Sequence, residues 1–423
     1  MIFKIFSLGC KVNSYECAAL ASLLKNEGFQ EEDSVTPDVV IINTCSVTST
    51  ADQKSRQHIR KFQRLYPNAI IIVMGCYAQG NKDFILDNIK PTILIGASHR
   101  NEIPNLIKQF QKTHERIVLL DDDTRHFSYE EFGITSYYEN TRAYLKIEDG
   151  CNNFCTYCII PYRRGQLRSR QPEHVISEAK YLVEQGYQEI ILSGIHVGGY
   201  GQDLKTITFS GLVEKLLEIP NLSSLRISSI EESEIDDQLI CLLKEKDSLA
   251  KHLHIPLQSG SPSVLKRMAR RYSTDDFLAK LIKIKKEIPD IALTTDVIVG
   301  FPGETDEEFE QTYQFIKKCG FHLLHVFPFS PREGTPAAKM PNQVSPEIKK
   351  ERVDKLINLS KELWDSYTSN FIGKSVTILV ERFERGFNIG HTTNYIEVKV
   401  PSKEGMIGKY LVVKLTKDMI ISK

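Results

Sequence analysis

At 423 residues the chain exceeds the ~250 to 300 residues at which single cores stop growing, so two or three domains are expected. With 54 basic against 54 acidic residues, 41% hydrophobic and 26% charged content, the composition excludes a disordered chain, and the net charge names no partner. The longest apolar run, AIIIVMGC, falls well short of the ~18 residues of a membrane span, and Lys4 breaks the apolar start, so a cytoplasmic protein with reduced thiols and no membrane partner is expected.

In residues 1–112, short β-branched runs (IFKIF, VVIIN, AIIIVM, TILIG) alternate with amphipathic stretches such as SYECAALASLLKNEG. That alternation predicts an open parallel α/β domain. Cys10 in FSLGCKVNSYE, Cys45 in IINTCSVTS and Cys76 in IVMGCYAQG each follow a strand directly. All strands of a parallel sheet end at one edge, so three cysteines distant in sequence are expected together there. Cys17, Cys241 and Cys319 fall in helical stretches and are expected to be buried as small hydrophobes.

A linker is placed at 113–136, around the acidic and aromatic LDDDTRHFSYEEFG. Over 137–368, AYLKI, EIILSG, LRISSI, KHLHIPL, IALTTDVIVG and LLHVFPF alternate with helical stretches, the pattern of a partial or full parallel (β/α) barrel. Cys151, Cys155 and Cys158 follow its first strand in GCNNFCTYCIIPYRRG. Structural zinc takes four ligands, and no fourth Cys or His stands within ten residues of this group. Three thiolates suit a four-iron cluster with one iron left open, and the strand-end loop is where barrel enzymes carry their chemistry.

The tail, 369–423, alternates apolar and polar residues in KSVTILVERF, YIEVKV and YLVVKL, as a small antiparallel β-barrel does. It carries nine Lys or Arg against five acids. With Arg163, Arg164, Arg168 and Arg170, and with Lys266, Arg267, Arg270 and Arg271, it is expected to form a phosphate track, and Phe383, Phe387 and Tyr395 offer rings for bases.

The CxxxCxxC group resembles that of the radical S-adenosylmethionine enzymes. The resemblance implies that S-adenosylmethionine binds at the open iron and is cleaved by one electron to a radical that abstracts hydrogen. It also implies that Tyr157 lies against the adenine and that Ser193, Gly194, Gln258, Ser259 and Gly300, at later strand ends, are candidates for holding this cofactor. With a second trio, Cys10, Cys45 and Cys76, the whole chain resembles the methylthiotransferases, and its tail the TRAM nucleic-acid-binding domain.

That resemblance implies two [4Fe-4S] clusters, S-adenosylmethionine, an electron donor and sulfur source of unspecified kind, and replacement of C–H by C–S–CH3. The motif LGCKVNSYE is similar to that of the branch acting on N6-threonylcarbamoyladenosine 37 of tRNA. The isopentenyladenosine branch reads closer to Gly-Cys-Gln-Met-Asn and the ribosomal-protein branch closer to Gly-Cys-Pro-Lys-Asn, so Lys11 and Val12 carry the distinction. The alternatives are those two branches and, in another class, a non-catalytic RNA-binding protein holding structural zinc.

Overall fold

The computed structural model describes residues 1–32, 34–133 and 141–421. The boundary expected at 136/137 lies outside the described residues. The N-terminal part is a six-stranded parallel sheet in the order Gln30–Glu31, Ile2–Ser7, Val39–Thr44, Ile70–Gly75, Ile93–Ile95, Ile117–Leu119. Every residue of Val39–Thr44 and Ile70–Gly75 is buried. Helices cover both faces of such central strands, which explains why they read as unbroken apolar runs rather than alternating ones. The sixth strand, Ile117–Leu119, comes from the stretch read as linker; three residues are too few to show a period.

The central part is six parallel strands, Arg142–Lys146, Glu189–Ser193, Ser224–Ile227, His252–His254, Ala292–Val299 and Leu323–Pro328. They pair as two groups of three, joined by single bridges Leu225–Leu249 and Ser229–His254. The result is an open barrel wall backed by helices, and it matches the six runs found in the sequence.

The barrel expected at the tail is a half-barrel, a four-stranded antiparallel sheet in the order Glu397–Pro401, Phe387–Thr392, Ser375–Glu384, Tyr410–Lys414. Trp364 and Tyr367, from the helix Pro346–Ser369, share its core with Ile378, Val380 and Val398. Among the described residues no helix is long and apolar enough to cross a membrane.

The N-terminal part is locked to the barrel rather than tethered. Tyr15 and Ala19 of the helix Lys11–Asn26 join the barrel core, and the Tyr15 hydroxyl donates to Glu178 at 3.1 Å. Beside them lies a buried ionic cluster. Glu16 pairs with Arg100, with Arg164 at 2.7 Å and with Lys146 at 2.8 Å, while Asp149 pairs with Lys146 at 2.7 Å and Arg168 at 2.9 Å.

This cluster corrects the expected phosphate track. Arg164, Arg168 and Arg170 are buried, Arg170 pairing with Glu178 and Glu131, because inward-facing carboxylates of the interface hold them. Arg270 is likewise turned inward onto Glu231, while Arg267 stays part-exposed and pairs with Glu308 at 2.7 Å. Cys17 and Cys319 are buried as expected, whereas Cys241 is exposed on the outer face of its helix.

Candidate active site

Ile2–Ser7, Val39–Thr44 and Ile70–Gly75 are adjacent in the sheet, so the cysteines that follow them meet at one edge. Cys10 caps the helix Lys11–Asn26, and Cys76 opens the helix Cys76–Gly80. Cys45 is squeezed in from behind: a Cβ placed on Gly9, whose φ is +105°, would stand 2.6 Å from the Cys45 sulfur. Cys45 feels both Cys76 and Cys10, and Cys76 feels Cys10, so the three form one electrostatic group. Burial pushes the Cys45 thiol up to about 11 and raises that of Cys76, so an ionised trio needs a compensating cation.

Arg164 supplies part of that compensation, donating from Nε to the Cys76 sulfur at 3.2 Å. The interface network has four cations, Arg100, Lys146, Arg164 and Arg168, against three carboxylates, Glu16, Asp149 and Glu130. The surplus positive charge points through Arg164 at the cysteine trio. These donors and this charge fit an anionic iron–sulfur group with one iron left open.

Cys151, Cys155 and Cys158 form the second trio on the loop after Arg142–Lys146; Cys158 feels the charges of both others. The Asn153 N–H donates to the Cys151 sulfur at 3.4 Å, and Arg270 Nη1 to the Cys155 sulfur at 3.6 Å. This donor set also fits a three-thiolate cluster. Among the described residues no three of His, Cys, Asp or Glu converge on a single metal ion. In a four-iron cube each thiolate holds a different iron, so a wider triangle is what that group requires.

The candidate cofactor residues divide by their surroundings. Tyr157, Cys158, Gln258 and Asp296 line one cavity of about 220 Å³. Gln258 adopts φ +62°, bridged to the Ile298 N–H and the Asp296 carbonyl. Ser193 and Gly194 line a larger cavity of about 560 Å³ together with Cys10, Cys45 and Cys76. Among the described residues the Ser193 hydroxyl is buried without a hydrogen-bond partner, and Gly194 passes so close over the Glu148 carboxylate that a Cβ would overlap it.

Ser259 and Gly300 are held within the fold. The Ser259 hydroxyl meets that of Thr312 at 3.1 Å, and the Gly300 N–H donates to Glu304 at 2.6 Å. Val47, Ile160 and Asp296 line both cavities, so the two cysteine trios open onto adjoining spaces.

One contributor carries no sequence signal strong enough to name it, and two named ones take other roles. Glu148 is buried, accepts from the His196 N–H at 2.6 Å and is pushed up to about 8 by burial and by Asp149. Its position on a strand two residues before Gly150 was the available signal. Arg164, expected in the phosphate track, instead turns to Cys76, and Tyr395, expected as a stacking ring for bases, lines the larger cavity.

Gly9 gives a direct test. Gly9→Ala forces a Cβ onto the Cys45 sulfur and strains the backbone by about 1–3 kcal/mol. The expected result is a loss of iron from the N-terminal trio, read as iron per chain with the barrel cysteines unchanged.

Residues 145–316 match the Radical SAM superfamily, and residues 3–96 match Uncharacterized protein family UPF0004. The chain is 46% identical over 418 residues to threonylcarbamoyladenosine tRNA methylthiotransferase MtaB of Bacillus subtilis (strain 168), covering 97% of this chain and 93% of that one. It is 35% identical to the tRNA-2-methylthio-N(6)-dimethylallyladenosine synthase of Thermoanaerobacter sp. (strain X514), covering 98% and 90%. Among solved structures, the radical S-adenosylmethionine methyltransferase TsrM from Kitasatospora setae superposes with a TM-score of 0.61 at 14% identity, covering 80% of this chain and 74% of that one. That likeness concerns the fold.

Proposed function

Because the chain belongs to the radical S-adenosylmethionine tRNA methylthiotransferases, we propose that it replaces the C2 hydrogen of N6-threonylcarbamoyladenosine 37 in tRNA by a methylthio group. The observation that carries this reading is the pair of three-cysteine groups opening onto adjoining cavities at the strand ends of two α/β units. Similarity over nearly the whole chain to a protein named for threonylcarbamoyladenosine supports the base, at 46% identity against 35% for a dimethylallyladenosine enzyme.

In this reading Cys10, Cys45 and Cys76 hold one [4Fe-4S] cluster and Cys151, Cys155 and Cys158 the other. When bound, these clusters and S-adenosylmethionine supply one-electron cleavage of a sulfonium and the sulfur and methyl to be transferred. The aromatic C2–H offers no acidic proton to a general base, so acid–base side chains alone do not suffice.

The chain's own residues position and shield. Tyr157 and Gln258 border the cavity beside Cys158, where they suit the adenine and ribose of S-adenosylmethionine. The unpartnered Ser193 hydroxyl and the Glu148 carboxylate beneath Gly194 suit its amino and carboxylate groups. Ser259 and Gly300 act on these through the shape of their strand-end turns. Residues 1–112, 137–368 and 369–423 serve as the sulfur-carrying, radical and tRNA-holding parts, with an unidentified reductant as partner.

Nucleosides from a strain lacking this gene test the assignment. The 2-methylthio derivative of threonylcarbamoyladenosine should vanish, while isopentenyladenosine derivatives keep theirs. Loss of the latter group instead overturns the choice of base.

A further inference from the structure

The larger cavity has an end that neither cysteine trio accounts for. Lys11, the residue after Cys10, lines it together with Arg226, Ser228, His252, Thr294 and Tyr395. Among the described residues the Lys11 side chain makes no salt bridge or hydrogen bond, and the residue is exposed on the cavity wall. Arg226 and Arg142 share one carboxylate, Glu189, at 2.9 and 2.6 Å, and Arg142 also takes Glu381 at 2.9 Å. The two arginines thus occupy Glu189 and Glu381 at contact distance, and Asp296 on the same cavity pairs with His254 at 3.2 Å, so among the described residues Lys11 has no carboxylate at contact distance and meets Glu189 only through its field.

The facing wall holds polar groups that the fold does not satisfy. His252 is 5% exposed, with Nε2 at 3.0 Å from the Thr294 hydroxyl and, among the described residues, Nδ1 without a hydrogen-bond partner. The Ser228 hydroxyl is also buried without one among the described residues. Tyr395 of the C-terminal sheet roofs this end, stacked on the His252 ring at 4.3 Å, with the Arg226 guanidinium 5.3 Å from its ring. Buried polar atoms of this kind cost free energy unless a ligand completes them.

We propose that this end of the cavity is the subsite for the threonylcarbamoyl substituent of the substrate base, with Lys11 pairing with its carboxylate. The inference rests on the functional reading above and assigns the residue that selects the substituent. A threonylcarbamoyl group brings one carboxylate, a hydroxyl and a urea, which meet the unpaired ammonium, His252 Nδ1 and the Ser228 hydroxyl. A dimethylallyl substituent brings none of these, and seating it here would strip water from the Lys11 ammonium without replacement.

The test uses the iron-loaded enzyme and three anticodon stem-loop RNAs alike except at position 37, which bears threonylcarbamoyladenosine, its carboxamide analogue or dimethylallyladenosine. The wild type should prefer the carboxylate to the carboxamide by about 10- to 100-fold in kcat/KM, as loss of one charge-assisted contact predicts. Lys11→Gln and Lys11→Met should bring that ratio near unity, and Lys11→Arg should restore the preference. A wild-type ratio near unity overturns the subsite whatever the variants do, as does a preference kept by Lys11→Gln. A wild type that modifies only the dimethylallyl RNA overturns the functional reading itself, a distinct outcome.

Discussion

Replacing Cys10, Cys45 and Cys76 together by Ala should cut bound iron from about eight to about four per chain and abolish methylthio transfer, while reductive cleavage of S-adenosylmethionine to 5′-deoxyadenosine persists. Replacing Cys151, Cys155 and Cys158 should abolish both the cleavage and the transfer and leave the N-terminal iron in place. The separation follows from topology. One trio sits at the edge of the six-stranded sheet and the other on the first strand-end loop of the barrel, so each can fold around its own iron. Iron content, 5′-deoxyadenosine yield and methylthio product are measured for both variants. An N-terminal triple variant that still transfers the methylthio group contradicts the division of labour.

Replacing Glu16 by Ala should destabilise the protein by about 3–5 kcal/mol, the range for removing one partner of a buried ion pair. Glu16 is fully buried and anchors Arg100, Arg164 and Lys146, which would be left facing one another. Burial opposes its ionisation, yet those three cations outweigh burial and hold its carboxyl well below the usual range.

Burial likewise opposes ionisation of Asp149, and Arg168, Lys146 and Arg164 overcome it. Both carboxylates thus have folded pKa values below their unfolded ones of about 4. Their contribution is present above that pH and lost as the pH falls below it. Denaturant unfolding at pH 7 and at acid pH should show the Glu16→Ala deficit shrinking in acid. Lys108→Ala, which breaks an exposed pair with Glu27 at 2.7 Å, should change stability by no more than about 1 kcal/mol. Since Arg164 also donates to Cys76, the Glu16 variant should lose N-terminal iron as well as stability.

The parts of this protein that sequence reveals are those with a period or a spacing. Buried parallel strands declare themselves as β-branched runs, and a cysteine directly after each of three runs is enough to place the trio, because parallel strands end at one edge. Charge is read less well. RRGQLRSR has the look of an exposed basic stretch, but Arg164, Arg168 and Arg170 find Glu16, Asp149 and Glu178, and those partners lie on other elements.

Cys241 shows the same limit in miniature: its helix is amphipathic, and the residue falls on the outer face. Tyr395 could be named as a stacking ring but not placed, since only the packing of the half-barrel on the barrel carries it to His252. Lys11 was legible as a letter in a motif, and its place on the cavity wall beside Arg226 and His252 only in three dimensions.

The central claim is that two cysteine trios on one chain act together on one tRNA base. Mass analysis of a threonylcarbamoyladenosine stem-loop incubated with the purified iron-loaded protein, S-adenosylmethionine and dithionite tests it most directly. The account predicts that C2–H is replaced by C2–S–CH3, with 5′-deoxyadenosine formed alongside. Formation of 5′-deoxyadenosine with an unaltered base, in protein carrying iron at both trios, would contradict it.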